Sequence, residues 1–498
     1  MAVAASDGPA RRTAQTGAEK PALSLGARVF QNTAAQLGGR VIGIGFSAGT
    51  SILLARYLGK EKLGEYGAIY AYLALFGFLA TFCLEQILAR EVSLRREQAA
   101  EIFHTGRVTA LVFSLIGTAL ALALAPFFGY HGQLHWLIAV AALDMMILPP
   151  VRFSSIVFQV DMRLWYSVAI GLFRQALWLV AVALLALKSA AFPWVIAART
   201  LCGVVEALVL LGSVNRLGLV RGAGRFVREE ARLLLKAGFP IVLTTLAAGI
   251  YHRIDQVMLH KMSGDLVLGP YVIAVQLTEL FSALPVALMV SLFPALAQSA
   301  REDEKFQKYL SETFRFLMVV VCAACALMTP IAAPVVELFY GKQYATTASL
   351  LVVLIWSEVP IFFNVAGGNA LVAKNLQKHT PIPALGCAGV NILLNLWAIP
   401  RYGALGACWA TVVSYSLGIF YLLFIADTRP IILLGLRTTL APLLLAIAIA
   451  SGIPYVPLAF GWKLALAAGA YLIGGLLTGA IRRADLDRLV GMVRQGIA

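Results

Sequence analysis

The chain is divided along its whole length by long apolar stretches. A helix needs about 20 mainly apolar residues to cross a bilayer, and 60% of these 498 residues are hydrophobic while only 13% are charged. We therefore predict an all-α polytopic membrane protein with about 14 transmembrane helices. The fourteen stretches lie near residues 29–56, 64–88, 107–128, 135–159, 165–187, 192–213, 238–262, 266–298, 312–339, 346–373, 380–399, 403–426, 432–454 and 461–481.

The basic residues are distributed unevenly between the two sides of these predicted spans. If the N-terminus is cytoplasmic, cytoplasmic segments hold 27 of the 40 Lys and Arg residues, outer loops hold 8 and the spans hold 5. This distribution follows the positive-inside rule and predicts that both termini are cytoplasmic. It also accounts for the net charge of +15 without a nucleic-acid partner, because the basic segment 214–237 then faces the lipid surface.

A repeat at an offset of 205 residues divides the spans into two sets. The segment 52–72 resembles the segment 257–277, and six spans separate the two copies. An even number of spans gives both copies the same orientation, so we predict a parallel repeat of two six-helix bundles. Identical residues occupy the paired positions Leu54 and Leu259, Gly59 and Gly264, Leu63 and Leu268, Gly64 and Gly269, and Tyr66 and Tyr271.

The repeat also predicts the domain organisation. The last two spans fall outside it and form an additional helix pair. The predicted units are a disordered cytoplasmic tail (1–26), an N-terminal six-helix lobe (27–213), a basic cytoplasmic linker (214–237), a C-terminal six-helix lobe (238–427), the helix pair (428–481) and a cytoplasmic tail (482–498). We call the two bundles the N-lobe and the C-lobe.

Sequence signatures of catalysis are missing. The chain has no phosphate-binding loop of the form G-x-x-x-x-G-K-[ST], no H-E-x-x-H motif and no nucleophile elbow. The pair Cys322 and Cys325 lies within an apolar stretch and is predicted to pack in the core rather than bind metal. We expect a transporter rather than an enzyme, with no metal and no cofactor.

Five arginines lie inside the predicted spans, where a charge costs about 2.5–3.5 kcal/mol on insertion scales. They are Arg40, Arg152, Arg174, Arg199 and Arg253. Such residues are retained where they face a water-filled cavity or a partner. The pattern therefore predicts a cationic cavity that binds an anionic substrate through these arginines.

Some of these arginines have an alternative, structural interpretation. Arg199 with Glu206, and Arg253 with Asp255, can form neutral pairs within one helix, and Arg152 can extend toward the cytoplasm. Arg40 and Arg174 have no carboxylate nearby in their own helices, so they are the strongest candidates for binding substrate.

Ionisable residues of the opposite kind also lie inside the spans. The carboxylates can bind a proton or a sodium ion, and the histidine can titrate near neutral pH. We regard them as ion-coupling candidates, and the sequence does not choose among them. They are Asp144, Asp255, Glu279, Glu358 and His252.

Four segments resemble the Wzx-type O-antigen and exopolysaccharide flippases. They are RYLGKEKLGEYG (56–67), HRIDQVML (252–259), ALVAKNLQKH (370–379) and NLWAIPRYGALGACWAT (395–411). The superfamily of these flippases also contains multidrug exporters and the lipid II flippase. The resemblance covers most of the chain from about residue 25 to residue 480.

The resemblance implies a function that the residues alone do not show. It implies a protein of the bacterial inner membrane that moves an undecaprenyl-diphosphate-linked glycan between leaflets by alternating access. The implied partners are this glycan, membrane lipids, a polysaccharide polymerase and a chain-length regulator.

Three alternatives remain open at this stage. A cation-coupled drug exporter of the same superfamily should favour acidic cavity residues, whereas a lipid II flippase would share the cationic cavity. A membrane polymerase is disfavoured by the short outer loops. The sequence does not distinguish an O-antigen from an exopolysaccharide pathway, and it does not identify the coupling ion.

Overall fold

The computed structural model describes residues 25–82, 84–160, 163–217 and 224–481. In these residues the regular structure is entirely helical. The α-helices are α1 (Leu25–Thr81), α2 (Leu84–Leu94), α3 (Ala99–Leu124), α4 (Gln133–Arg152), α5 (Ile156–Val160), α6 (Leu164–Leu187), α7 (Phe192–Arg216), α8 (Arg228–Ser263), α9 (Asp265–Gln298), α10 (Asp303–Tyr340), α11 (Ala345–Leu354), α12 (Glu358–Ala373), α13 (Pro381–Tyr421), α14 (Arg429–Gly452) and α15 (Phe460–Thr478).

Two of these helices bend sharply at a glycine. Gly59 in α1 has φ 69° and ψ −179°, and Gly403 in α13 has φ 55° and ψ −134°. A positive φ is strained for residues with a Cβ, so glycine is the residue that suits both bends. Each helix therefore consists of two arms, 25–58 and 60–81 in α1, and 381–402 and 404–421 in α13.

The number of membrane-crossing arms agrees with the sequence prediction. Eleven helical segments of the described chain are long and apolar enough to cross a membrane. Two of them contain the bent helices, and α8 is long enough although its polar residues lower its hydropathy. Dividing the bent helices and including α8 gives fourteen arms, which confirms the predicted all-α polytopic fold.

The main departures from the prediction lie on the basic side of the fold. Residues 84–88 were predicted as the end of the span 64–88, but they begin the separate helix α2, which buries Leu84 and Leu88 in one core with Leu234 of α8. Helix α8 begins at Arg228, inside the predicted linker 214–237. Residues 1–24 and 482–498 of the predicted tails, and residues 218–223 of that linker, lie outside the described residues.

Two large apolar cores organise the described helices. The first joins the lobes and contains the buried rings of Tyr72 and Tyr130 together with Tyr271 and Tyr344. The second lies within the C-lobe and includes residues of α14 and α15, where the Tyr471 hydroxyl donates to the Val319 carbonyl at 3.0 Å. The extra helix pair therefore packs against α10 of the C-lobe. Cys322 and Cys325 are buried free thiols in this second core.

Candidate functional site: a charged cavity between two lobes

Three adjoining cavities lie between helices of the two lobes. Cavity A has a volume of about 400 Å³ and is lined by α1, α6, α7, α9 and α10. Cavity B has a volume of about 610 Å³ and is lined mainly by α1, α8, α9, α12 and α13. Cavity C has a volume of about 460 Å³ and lies between α1, α6 and α9. These volumes fall within the range of about 300–1,000 Å³ that is usual for ligand sites.

Shared lining residues show that the cavities adjoin one another. Glu279 lines cavities A and B, Gln175 lines cavities A and C, and Arg40 lines cavities B and C. Four of the five predicted arginines face this space: Arg174 and Arg199 line cavity A, and Arg40 and Arg253 line cavity B. Arg152 lines none of the three cavities.

Glu206 of α7 is the centre of an ionic cluster inside the N-lobe. Its Oε2 lies 3.1 Å from the Arg174 Nε and 3.3 Å from a terminal nitrogen of Arg152. Glu206 therefore pairs with two arginines from neighbouring helices. The alternative pair between Arg199 and Glu206 does not form, because seven helical residues separate their Cα atoms by about 10 Å along the axis.

Asp144 of α4 lies within electrostatic range of the same cluster, near Arg174, Arg152 and Glu206. A Cβ atom at Gly203 of α7 would collide with its Oδ1, so the glycine makes room for the carboxylate. In the described structure this Oδ1 is buried and has no hydrogen-bond donor. Glu206 compensates part of the charge of Arg152 and Arg174, so these two arginines offer less charge to a ligand than unpaired ones would.

Arg199 is held by aromatic rings instead of a carboxylate. Its guanidinium carbon lies 3.8 Å from the ring centroid of Tyr70 and 5.3 Å from that of Tyr66. The guanidinium also donates a hydrogen bond to the Tyr66 hydroxyl. Cation–π contacts of this kind stabilise a desolvated cation by about 2 kcal/mol without neutralising it. Arg199 therefore presents an uncompensated positive charge to cavity A.

Arg40 is the second uncompensated cation. It is exposed within the space lined by α1, α8 and α9. Among the described residues, no carboxylate lies within ion-pairing distance of Arg40 or of Arg199. These two side chains are therefore the free positive charges of the cavities.

Arg253 pairs with Glu279. The pair with Asp255, which the sequence interpretation had allowed, does not form. One terminal nitrogen of Arg253 lies 2.9 Å from the Glu279 Oε1. Residues two positions apart project from nearly opposite faces of a helix, so Arg253 and Asp255 cannot meet. Glu279 comes instead from the neighbouring helix α9.

The remaining ion-coupling candidates line cavity B. Asp255 is buried and accepts hydrogen bonds from the Tyr271 hydroxyl and, at 2.7 Å, from the Gln256 backbone N–H. Glu358 is also buried and accepts a 2.7 Å hydrogen bond from Ser282, while its Oε2 has no partner in the described structure. The His252 Nδ1 lies 2.9 Å from the Tyr415 hydroxyl.

The repeat relates the two lobes but not their charges. Tyr66 and Tyr271 are equivalent by the 205-residue offset, and both hydroxyls contact an ionised group. Tyr66 accepts a hydrogen bond from Arg199, whereas Tyr271 donates one to Asp255. The N-lobe face of the cavities is therefore cationic, and the C-lobe face carries buried carboxylates.

One end of the cavities is closed by a reciprocal contact between the repeats. A Cβ atom at Gly64 would collide with the Asp265 carbonyl, and one at Gly269 would collide with the Lys60 carbonyl. The same 205-residue offset relates Lys60 to Asp265 and Gly64 to Gly269. The turns of the two lobes therefore meet face to face, and each is held close by a glycine.

Two basic side chains strengthen this closure, which we call the turn-side closure. Arg56 donates 2.8 Å hydrogen bonds to the Leu338 and Phe339 carbonyls at the end of α10. Lys261, its equivalent at the 205-residue offset, donates at 2.8 Å to the Phe127 carbonyl that follows α3. Each cation thus reaches across to a helix C-terminus of the other lobe, where a positive charge is favourable.

Sequence reasoning missed the neutral part of the site. Tyr66, whose hydroxyl accepts a hydrogen bond from Arg199, and the amide of Gln276 in cavity A were not identified as functional candidates. The sequence did contain one indication of this part of the site, the matched tyrosines of the repeat, Tyr66 and Tyr271, each of which lies two residues after a paired glycine.

The comparisons with known proteins agree with this architecture. The profile of the family described as "Polysaccharide biosynthesis protein" matches residues 53–349. A curated relative, the probable low-salt glycan biosynthesis flippase Agl15 of Haloferax volcanii, is 20% identical over 378 residues, which cover 74% of this chain and 78% of the relative.

Two solved structures share the fold. The lipid II flippase MurJ in an inward closed conformation superposes with a TM-score of 0.70 at 16% identity, covering 90% of this chain and 98% of that one. An inward-facing multidrug resistance MATE family transporter of the MOP superfamily superposes with a TM-score of 0.61 at 15% identity, covering 84% of this chain and 99% of that one. At these identities the likeness concerns the fold.

Proposed function

We propose that this chain, which belongs to the polysaccharide biosynthesis protein family, is a flippase for a polyprenyl-diphosphate-linked oligosaccharide. In this proposal it moves its substrate from the cytoplasmic to the periplasmic leaflet of a bacterial inner membrane by alternating access. The flippase relative and the flippase and exporter folds support transport across a membrane. The charges of the cavities support the choice of an anionic lipid.

The observation that carries the proposal is the pair of uncompensated cations. Arg40 and Arg199 come from different helices of the N-lobe and line adjoining cavities, Arg199 cavity A and Arg40 cavities B and C. A cavity with two free guanidinium groups is stabilised by an anion, and planar guanidinium forks suit the oxygens of a diphosphate. We therefore assign the diphosphate to these two residues, with Arg253 and Arg174 contributing from their ion pairs.

This assignment revises the ranking of the five arginines. Arg174 was a leading candidate from the sequence, but its pairing with Glu206 reduces the charge that it offers. Arg152 also pairs with Glu206 and lies away from the cavities. We propose a structural role for Arg152 and a supporting role for Arg174.

The drug-exporter alternative has one observation in its favour, the carboxylates of cavity B. Such carboxylates would attract a cationic drug if they were free. However, Asp255 and Glu358 are only 3% and 2% exposed, and Glu279 is paired with Arg253. The charges that remain free are positive, which favours the anionic lipid. A lipid II flippase shares this property, so the identity of the glycan is the feature that separates the two.

We further propose that the buried carboxylates of cavity B couple substrate movement to an ion. Asp255 and Glu358 lie in the C-lobe, opposite the cationic N-lobe face, and both are held by hydroxyl groups rather than by cations. Protonation or cation binding would remove their negative charge and change the balance between the lobes. Polysaccharide polymerases and chain-length regulators would act on the product at the outer surface.

Complementation of a strain lacking the gene tests the substrate assignment. Ala and Lys are introduced at Arg40 and Arg199, and surface polysaccharide is measured at matched membrane levels. We expect the Ala variants to export poorly and the Lys variants to recover part of the activity, because lysine keeps the charge but loses the planar fork. Arg437→Ala, on α14 and outside cavities A, B and C, is the control. Normal export by both Ala variants would refute the assignment.

A further inference from the structure

A fourth cavity, which we call cavity D, lies inside the C-lobe. It has a volume of about 490 Å³ and is lined by residues of α8, α12, α13 and α14 and of the turn between α12 and α13. In the described structure none of its lining residues is Lys, Arg, Asp or Glu. Cavity D therefore offers no charge to a lipid diphosphate, in contrast to cavities A, B and C.

Cavity D extends along α12 toward the basic side of the fold. Its lining includes Ile361 near the start of this helix, Val372 near its end and Gln377 in the turn that follows. The helix rises about 16 Å between Ile361 and Val372, and Gln377 is exposed. The cavity thus connects the middle of the C-lobe with the side of the fold on which α8 begins at Arg228.

Three side chains form a partition between cavity D and cavity B. Ile361, His252 and Tyr415 line both cavities. The His252 Nδ1 lies 2.9 Å from the Tyr415 hydroxyl, so the polar part of the partition is a hydrogen-bonded pair.

The charged groups that face the partition all lie on its cavity B side. They are Arg40, Arg253, Asp255, Glu279 and Glu358. The pair of His252 and Tyr415 therefore separates the buried carboxylates of cavity B from an uncharged cavity that leads to the basic side.

Asn364 indicates that cavity D holds water rather than lipid chains. This residue is exposed and lines the cavity, although it lies about 14 Å of helix before the end of α12 at Ala373. Among the described residues its amide has no hydrogen-bond partner. An amide without a partner in apolar surroundings is costly, and water would satisfy it. The cavity has room for several water molecules, each of which takes about 30 Å³ in the liquid.

Gly368 keeps cavity D open. Asn364, Gly368 and Val372 are spaced four residues apart, so they share one face of α12, and all three line the cavity. No atom lies within 4 Å of the Cβ position of Gly368. A side chain at this position would therefore extend into the cavity without a collision at its Cβ atom, so Gly368→Leu is a substitution that fills cavity D.

We propose that cavity D is a proton route between the carboxylates of cavity B and the basic side of the fold. The inference rests on the proposed coupling of transport to an ion. A proton released by Asp255 or Glu358 crosses cavity B to one ring nitrogen of His252. The other ring nitrogen gives a proton to the Tyr415 hydroxyl, which gives its own proton to water in cavity D.

The protons balance in this sequence. The carboxyl group becomes a carboxylate and water gains the proton, while His252 and Tyr415 each gain one proton and lose one. The lipid in cavities A, B and C and the proton in cavity D then use separate routes. A bound lipid therefore does not block proton exchange with the basic side.

Thiol labelling tests whether water enters cavity D from the basic side. Asn364→Cys, in a protein without its native cysteines, is treated with an impermeant reagent in right-side-out and in inverted vesicles. We expect it to react from the basic side, both with and without undecaprenyl diphosphate, and we expect Gly368→Leu to slow the reaction. Gly389→Leu is the control, because no atom lies within 4 Å of its Cβ position and Gly389 does not line cavity D.

Proton movement in proteoliposomes tests the route itself. A pH-sensitive dye inside the vesicles reports the protons that move when undecaprenyl diphosphate carrying an oligosaccharide is transported. We expect Gly368→Leu to lose most of this movement while binding undecaprenyl diphosphate in nanodiscs like the wild type. His252→Gln and Tyr415→Phe should also lose it, because each removes one member of the relay. Gly389→Leu should move protons at the wild-type rate.

The outcomes separate this inference from the proposed function. If Asn364→Cys reacts only from the turn side, or if Gly368→Leu moves protons at the wild-type rate, cavity D is not the route while the flippase proposal stands. If transport follows a sodium gradient and His252→Gln has no effect, the proton relay is wrong. If undecaprenyl diphosphate does not bind the wild-type protein, the proposed function itself is wrong.

Discussion

Glu206 pairs with two arginines, Arg152 at 3.3 Å and Arg174 at 3.1 Å, and its side chain is 9% exposed. Glu206→Gln leaves Arg152 and Arg174 without this carboxylate, and their side chains are 43% and 28% exposed. The cost therefore lies between the about 0–1 kcal/mol of an exposed pair and the about 3–5 kcal/mol of a fully buried one. We expect Glu206→Gln to lower the midpoint of thermal unfolding in detergent clearly.

The matched control for this prediction is Glu337→Gln. Glu337 is 57% exposed and lies 3.7 Å from Lys342, so its pair contributes about 0–1 kcal/mol. Equal thermal midpoints for the two variants would contradict the role of Glu206.

The carboxylates of cavity B give a second prediction at this scale. Asp255→Asn and Glu358→Gln remove a charge without changing shape, and both residues are buried next to hydroxyl donors. We expect these variants to bind undecaprenyl diphosphate normally but to lose transport that responds to a proton or sodium gradient. Transport into proteoliposomes with and without each gradient measures this, and Glu337→Gln again serves as the control. If both variants keep gradient-driven transport, residues other than Asp255 and Glu358 couple transport to the ion.

Individual charged residues could be identified from the sequence, but their partners could not. A charge inside an apolar stretch can be recognised from the sequence alone, and all five arginines and all five coupling candidates were identified in that way. The partners come from other helices: Glu279 of α9 for Arg253 of α8, and Glu206 of α7 for Arg174 of α6. Such pairings depend on the rotation of one helix against another, which local spacing does not determine.

At the scale of elements, the turn-side closure depends on the close approach of two helices. Gly64 packs against the Asp265 carbonyl and Gly269 packs against the Lys60 carbonyl. A Cβ atom at either glycine would collide with that carbonyl, so a larger residue must push the lobes apart. Overpacking of this kind costs about 1–3 kcal/mol, which shifts a two-state equilibrium about 5- to 150-fold. We expect Gly64→Val and Gly269→Val to favour the state that is open on the turn side.

Thiol labelling measures this shift. A cysteine at Ser47, which lines cavity A, should react faster with an impermeant reagent added from outside when either valine is present. Gly77→Val, in the second arm of α1, is the control because no atom lies within 4 Å of its Cβ position. Labelling rates that are equal in all three variants would show that the contact does not hold the closure.

The helices themselves were largely predictable, because each crossing requires a long apolar run. The bends were less predictable than the helices, because α1 and α13 leave helical geometry only at a single residue, Gly59 and Gly403 respectively. The sequence indicated two spans in each case, with the turn placed by its glycine. Helix α2 was not recognised as a separate helix, because its first five residues were included in the predicted span 64–88. Its apolar side becomes evident only when α8 packs against it.

At the scale of the whole molecule, the topology follows from charge. The positive-inside rule predicts that the turn-side closure lies outside and that the segment 224–237 lies in the cytoplasm. Single cysteines at Lys188 and Lys342 should therefore react with an impermeant reagent in intact cells, while a cysteine at Arg225 should react only after the membrane is opened. If a cysteine at the Arg225 position is labelled from outside, the chain has the opposite orientation in the membrane and the proposed direction of transport is wrong.

The two lobes share one backbone plan and carry opposite charges on their facing surfaces. Tyr66 and Tyr271 occupy equivalent positions, yet one contacts Arg199 and the other contacts Asp255. In this account the cationic lobe holds the lipid diphosphate and the acidic lobe binds the ion that drives the cycle. The central claim is therefore that the free arginines of the N-lobe bind an anionic lipid.

The affinity of the purified protein for undecaprenyl diphosphate in nanodiscs tests this claim most directly. Arg40→Ala and Arg199→Ala should each weaken binding about ten- to a hundred-fold, because a charge-assisted hydrogen bond contributes about 1.5–3 kcal/mol. The Lys variants should bind with intermediate affinity, and Arg437→Ala should bind like the wild type. If both Ala variants retain their thermal midpoints and bind undecaprenyl diphosphate with wild-type affinity, the cationic cavity does not hold the diphosphate and the account is wrong.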